Sequence, residues 1–210
     1  MTLVLLSNLI DEDSDIKENF PPNIKNIIEN LDGLIAESEK SARRYLLKFI
    51  SREEMQKIDI LLLNEHSKEK DIQFIIKAIK DKNFGLISDA GLPCIADPGS
   101  KLVYLARENN IEIKATVGPS SIFLALMLSG LDSQKFYFHG YLPKEENFLV
   151  SKIQDLEKQS KEENLVQIFI EAPYRSDKIL VISFRELIFS ILSRILPRFS
   201  NFIYNIYYGY

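Results

Sequence analysis

Ser88-Asp89-Ala90-Gly91-Leu92-Pro93-Cys94-Ile95-Ala96-Asp97-Pro98-Gly99 is the stretch whose reading decides the fold. It follows an apolar run, Phe84-Gly85-Leu86-Ile87, with the character of a buried strand, and precedes a helical pattern from Lys101 to Arg107. Two acids, two glycines and two prolines therefore stand where a parallel strand delivers its chain to the edge of a sheet. In open α/β sheets that edge is where ligands bind. Glycine lets backbone approach a ligand, and proline sets a turn without spending a donor.

Outward from this stretch, strand-like and helix-like segments alternate. Thr2 to Leu6, Gly33 to Ala36, Ile60 to Leu63 and Ile111 to Val117 have the apolar, β-compatible character of strands. Ile24, Ile27, Ile28 and Leu31 recur at helical spacing, as do Ile72, Ile75, Ile76 and Ile79. Ser38 or Ser41 offers a cap for a helix running to about Phe49. Repeated β-α-β units predict a mainly parallel sheet covered on both faces. Gly118-Pro119-Ser120-Ser121 breaks the chain before a helix through Ser129, which places a domain boundary between residues 117 and 118. Beyond it come a strand from Phe136 to Tyr141, an amphipathic helix from about Glu145 to Gln159, and a strand from Leu165 to Glu171. That strand ends in a second loop rich in functional groups, Glu171-Ala172-Pro173-Tyr174-Arg175.

Composition narrows the function classes. The 210 residues suffice for one large or two small domains, and a formal charge of −4 argues against a general polyanion binder. The single cysteine, Cys94, excludes an internal disulfide framework and suits a reducing cytosol. No histidine or cysteine cluster has metal spacing, so no metal site is expected. No signal peptide and no early apolar run of roughly 18 residues is present, which points to a cytoplasmic protein without a membrane anchor. From Val181 to Tyr210 there is no lysine and one acid, while eight of the 22 aromatics fall there. This atypical tail reads as a hydrophobic helix, an interaction surface or a late change of reading frame.

The motifs Ser88-Asp89-Ala90-Gly91 through Asp97-Pro98-Gly99, Gly118-Pro119-Ser120-Ser121, Gly140-Tyr141-Leu142-Pro143 and Glu171-Ala172-Pro173-Tyr174-Arg175 occur in one family's order and spacing. Together, over roughly residues 1 to 180, they resemble the tetrapyrrole-methylase superfamily of S-adenosylmethionine-dependent methyltransferases. The resemblance is strongest to its small-subunit ribosomal RNA 2′-O-methyltransferase I branch. It implies two α/β domains, residues 1–117 with a mainly parallel sheet and 118–210 with a smaller mixed sheet, incomplete if the tail is altered. It also implies S-adenosylmethionine folded into a cleft between the domains, a homodimer, and ribosomal RNA or the small ribosomal subunit as partner.

On this resemblance the donor falls to Ser88, Asp89, Ala90 and Gly91, to Gly118, Pro119, Ser120 and Ser121, and to Met127 and Leu142 as apolar walls. An acid at a strand end accepts hydrogen bonds or favours a nearby cation, and a helix start suits a carboxylate. Plain core is the other reading of Met127 and Leu142. A ribose hydroxyl is a poor nucleophile, so Glu37, Glu171 and Arg175 are the candidate catalytic groups. Glu37 reads equally as an acid favoured at a helix start. For RNA, Lys40, Arg44 and Lys48 fall at i, i+4 spacing, with Arg43 close by and His66 at a family position, while a solvated helix face accounts for the same stripe. His139 reads as structural. The family's first loop carries proline and glycine; Leu5-Leu6-Ser7-Asn8-Leu9-Ile10-Asp11 has neither, leaving open how closely this loop approaches the site. Three functions follow: methylation of an RNA ribose, methylation of a small molecule such as a tetrapyrrole, or donor binding without catalysis.

Overall fold

Five short runs, β1 (Thr2–Leu5), β2 (Gly33–Ala36), β3 (Asp59–Leu62), β4 (Asn83–Leu86) and β5 (Glu112–Ala115), pair in parallel in the order β3-β2-β4-β1-β5. All five face the same way because a helical segment lies between each strand and the next, returning the chain to the sheet's starting edge. This is a computed structural model, and it describes residues 1–186. The chain divides into two compact units, Met1–Ser121 and a second opening at Ile122, four residues beyond the boundary that the Gly118 turn suggests. Among the described residues no helix is long and apolar enough to cross a membrane.

Strand periodicity sorts side chains to two faces. Val4, Leu6, Leu34 and Ala36 pack with α2 (Ile24–Glu29), α3 (Glu39–Leu46) and α4 (Arg52–Met55) through Ile24, Ile28, Ala42, Tyr45, Leu46 and Met55. The short α1 (Ile16–Asn19) lies on the same connection. Leu3, Ile35, Phe84 and Leu86 pack on the opposite face, with Ile72, Ile75 and Ile76 of α5 (Glu69–Ala78) and Leu102 and Ala106 of α6 (Ser100–Glu108). Central β4 has neighbours on both sides and both faces. A Cβ at Gly85 would stand 2.6 Å from Leu6 Cδ1 and 2.8 Å from Leu34 Cδ1, so the first face's core occupies that volume.

The connections β1→β2→β3 run toward one edge of the sheet over the first face, and β3→β4→β5 return over the second. Adjacent β2 and β4 therefore send their chains off in opposite directions, opening a crevice beyond their carboxyl ends. Helix α3 leaves that crevice. Ser38 caps it by accepting from the Ser41 amide at 3.1 Å, and Ser41, Ala42, Tyr45 and Leu46 face the core. Where spacing predicts a helix to Phe49, α3 stops at Leu46. The chain then turns, with Phe49 meeting Phe20 and Tyr45 at ring distances of 5.0 and 5.3 Å, and Ser51 caps α4. Ring packing and the next cap outweigh continuation of the helix.

In the second unit, α7 (Ser121–Ser129) leads to β6 (Phe136–Tyr141), which pairs with β7 (Val166–Ile170) after the 18-residue α8 (Glu146–Glu163). Leu142, Leu149, Ile153, Leu156, Ile179 and Ile182 form its core. A mixed sheet is expected here from the resemblance, but the two described strands are parallel because the α8 crossover carries the chain back before β7 begins. Pro173 also opens a helix, α9 (Pro173–Glu186), so Arg175 sits on a first helical turn rather than in the loop its sequence suggests. The distinctive part of the aromatic tail, residues 187–210, lies outside the described residues.

The Tyr45 hydroxyl, almost wholly buried, donates to the Ser7 carbonyl at 3.1 Å. Tyr45→Phe should lower the stability of the first unit by about 1 kcal/mol, read as an earlier urea midpoint with an unchanged slope.

Candidate functional site

The carboxyl ends of β1, β4 and β5 are joined by one three-residue segment. Ser7 donates its amide to Thr116 Oγ1 at 2.9 Å and its hydroxyl to the Val117 carbonyl at 3.0 Å. Asn8 donates its amide to the Gly91 carbonyl at 2.7 Å, and Gly91 donates back to the Leu9 carbonyl at 3.3 Å. The Asn8 side-chain amide reaches both Ser88 and Asp89 carbonyls at 3.0 Å, while its oxygen accepts from the Leu9 amide at 2.9 Å. Ser7 and Asn8 are buried with these partners satisfied. The loop without proline or glycine thus lies directly against the Asp89 loop.

Close approach explains two glycines. A Cβ on Gly118 would fall 2.0 Å from Ser7 Cβ, so only glycine fits where β5's exit crosses β1's. Gly91 adopts φ +68°, and a Cβ there would meet the Pro119 carbonyl oxygen at 3.5 Å. Ser88, Asp89, Ala90 and Gly91 therefore share an edge with Gly118 and Pro119. Ser120 and Ser121 follow at the start of α7.

In the crevice between β2 and β4, Glu37 extends the end of β2 and accepts from the Asp89 amide through Oε1 at 3.4 Å. Burial first, then the Asp89 charge, holds the Glu37 carboxyl above its ordinary value; Asp97 and Glu65 add to this, and the Asp89 amide pulls the other way. Asp97 is likewise raised, by burial and then by Asp89, and the polar Ser88 side chain only partly offsets it. The Ser88 hydroxyl also lies 2.7 Å from the Ala90 carbonyl, to which it donates. Every charge acting on Glu37 and Asp97 belongs to another acid. Half-buried carboxylates crowded in this way are complementary to a cationic ligand. Cys94 is no nucleophile at neutral pH, because burial and Asp97 push its thiol up to about 11. Asp97 was not singled out from the sequence as a site residue; its signal was a second acid in the same glycine- and proline-rich loop.

The remaining sequence-predicted residues scatter. On α3, Lys40, Arg43 and Arg44 are exposed, with Arg43 paired to Glu39 and Arg44 to Glu12. Lys48 lies beyond the helix, half-buried, its ammonium lowered by burial and by Arg44. Fully surface-placed His66 stands in the turn after β3, its amide donating to Asn64 Oδ1 at 3.0 Å. In the second unit, Met127 is 74% exposed whereas Leu142 is buried in the core, its less specific reading. Glu171 and Arg175 pair with each other at 3.1 Å, both largely buried. Glu171 Oε1 also accepts from the Ala172 amide at 2.9 Å, and Arg175 donates to the Pro143 carbonyl at 2.8 Å. The pair braces β7, α9 and the end of β6 together, leaving Glu171 Oε2 without a hydrogen-bond partner. His139 meets Gln167 Oε1 through Nε2 at 2.6 Å.

No family model matches the chain. Among solved structures it is similar to the methyltransferase CobJ, with a TM-score of 0.56 at 10% identity, covering 89% of this chain and 76% of that one. That likeness is one of fold: a doubly wound parallel sheet, followed along the chain by a small second sheet. By sequence the chain is similar to curated methyltransferases over part of their length. Its curated relatives carry the name ribosomal RNA small subunit methyltransferase I. The Rickettsia prowazekii (strain Madrid E) protein is 40% identical over 118 residues, 56% of this chain and 40% of that relative. The Thermotoga maritima protein is 33% identical over 149 residues, 70% of this chain and 63% of the relative. In the Bacillus subtilis (strain 168) protein identity is 36% over 113 residues, 53% of this chain and 37% of the relative. The chain therefore spans less than two thirds of each of these relatives.

Because the folded chain holds the Glu37 proton more tightly than the unfolded chain does, the stability from this group is complete below the ordinary carboxyl pKa. It is lost as pH rises through the raised folded value. Glu37→Gln should therefore unfold at a higher temperature than wild type at neutral pH, with the gain vanishing near about pH 4.

Proposed function

We propose that the chain is an S-adenosylmethionine-dependent methyltransferase acting in the cytoplasm on the 2′-hydroxyl of a ribose in small-subunit ribosomal RNA. The observation that carries this reading is Glu37 meeting the Asp89 loop in the crevice where the sheet's connections diverge. The names of the curated relatives support the reaction and the substrate.

The residues present fit the donor. Glu37, Asp89 and Asp97 form an anionic wall with no cation among the charges acting on Glu37 or Asp97. A sulfonium or ammonium group there would relieve their mutual repulsion. Gly91 and Gly118 keep the backbone edge low, while Ser120 and Ser121 at the start of α7 present hydroxyls to a carboxylate. When bound, the donor supplies a methyl carbon already activated by its sulfonium. The protein's task is then to orient the acceptor oxygen about 3 Å from that carbon and to accept its proton. Glu37 is the base: its raised pKa brings it toward neutral pH, where a carboxylate removes a hydroxyl proton more effectively. Exposed Lys40 and Arg44 on the helix leaving the crevice extend cationic surface toward an RNA backbone. A homodimer, implied by the resemblance, completes the proposal and is read from sedimentation.

Two variants separate binding from chemistry. Asp89→Ala should weaken S-adenosylhomocysteine binding by about 1–3 kcal/mol in titration calorimetry. Glu37→Gln, assayed at saturating donor so that any loss of donor affinity does not count, should lower methyl transfer to purified small ribosomal subunits by about 10²–10⁴-fold. Unchanged transfer by Glu37→Gln would remove Glu37 as the base.

A further inference from the structure

Beyond the end of β3 lies a groove of about 350 Å³ lined by Leu62, Asn64, His66, Asp71 and Phe74, among others. Phe74 on α5 is 63% exposed and Leu62 on the edge strand β3 is 49% exposed, although both belong to residue types that normally bury such area. His66 offers a second flat ring, almost completely exposed.

The charges around the groove are not balanced. Lys70 and Lys77 stand four residues before and three after Phe74, so they flank its ring on one helix face. Both are exposed, and neither has an ion-pair partner among the described residues. Of the neighbouring acids, Glu69 pairs with Lys101 at 3.4 Å and Glu65 lies 3.6 Å from His66. Asp71 accepts from the Lys68 amide at 2.8 Å and keeps its negative charge, so that among the described residues two free lysines face one unpaired carboxylate. An exposed ring between two uncommitted cations suits a partner with flat π-faces and an anionic backbone.

The groove also begins at the candidate site. Asn64, one of its lining residues, donates from Nδ2 to the Glu37 carbonyl at 3.4 Å, and its Oδ1 holds the turn that presents His66. One side chain thereby ties the groove to the residue proposed as base. The acids of the crevice would repel phosphate, so a nucleic-acid strand approaching Glu37 gains by following Lys70 and Lys77 instead.

We propose that this groove is a stacking subsite for single-stranded RNA, in which a base flanking the modified nucleotide lies on Phe74 and the backbone runs past Lys70 and Lys77. The proposal rests on the RNA reading above and extends it to residues that reading does not use. Single-stranded binding of this kind combines aromatic platforms with a cationic track and tolerates different bases.

The test uses the full chain and a short fluorescein-labelled single-stranded RNA of mixed sequence, followed by anisotropy. Phe74→Ala should weaken binding about tenfold or more, while Phe74→Trp retains it, because stacking needs a ring rather than this ring. Lys70→Glu with Lys77→Glu should weaken binding and flatten its salt dependence. S-adenosylhomocysteine affinity should stay at the wild-type value in all three. Wild-type RNA binding by Phe74→Ala, or loss with Phe74→Trp as severe as with alanine, would overturn the subsite. So would a change in sedimentation of Phe74→Ala without a change in RNA affinity, which would make the face a contact between copies of the chain. If Phe74→Ala loses the RNA but the wild type methylates no RNA, the subsite stands and the reaction reading fails. If methylation proceeds and Phe74→Ala binds RNA normally, the reverse holds.

Discussion

Ser7, Asn8 and Leu9, through backbone and side-chain groups together, hold the carboxyl edge of the first unit in place. Strands β4 and β5 flank β1 in the sheet, but their exits diverge, and nothing in strand pairing makes those exits meet again. They meet through Ser7, which binds the Thr116–Val117 exit, and through Asn8 and Leu9, which bind Gly91 and the Ser88 and Asp89 carbonyls. From within the core, Tyr45 fixes the Ser7 carbonyl. The absence of a side chain at Gly118 is the steric counterpart of this arrangement, since any Cβ there would occupy the space of Ser7. Buried polar groups with every partner in place hold a loop in one conformation, because each alternative leaves a donor or acceptor unpaired.

On that fixed edge the electrostatics of the two units differ in kind. Glu37 and Asp97 are partly withdrawn from water and face other acids, so part of their ionisation cost stays uncompensated. Glu171 in the second unit is more deeply buried, yet a guanidinium and a backbone amide neutralise one of its oxygens. A paired buried carboxylate stabilises local architecture, whereas a crowded unpaired one invites a ligand. That contrast separates the Glu171–Arg175 pair, which holds its own turn, from Glu37, beside which Asp89 and Asp97 lie.

Much of the fold was legible. Gly33–Ala36 and Phe136–Tyr141 coincide with the strands expected of them, and the remaining strands differ from expectation only at their ends. The helical patterns around Ile72–Ile79, Lys101–Arg107 and Glu145–Gln159 became α5, α6 and α8 because burial of one face rewards a 3.6-residue period whatever the partner. Legibility failed where a local pattern competes with packing at a distance. Lys48 continues the i, i+4 series of Lys40 and Arg44, but Phe49 must reach Phe20, so the helix ends before the series does. Four-residue α1 and α4 carry too little periodicity to read. The first loop, lacking the glycine and proline that mark close approach, still lies against the Asp89 loop because hydrogen bonds, not turn residues, draw it there.

By itself the sequence determined that strands and helices alternate, that the sheet is parallel, and that Ser88 to Gly99 and Gly118 to Ser121 leave it at strand ends. Those properties follow from periodicity and turn chemistry, which act over a few residues. Only the tertiary structure decided that Glu37 meets Asp89, 52 positions away, that Asp97 shares their field, and that Asn64 links the same crevice to the groove of Phe74. Strand order sets these encounters. It is chosen by which apolar faces bury best together, a competition among segments distant in sequence that no local pattern records.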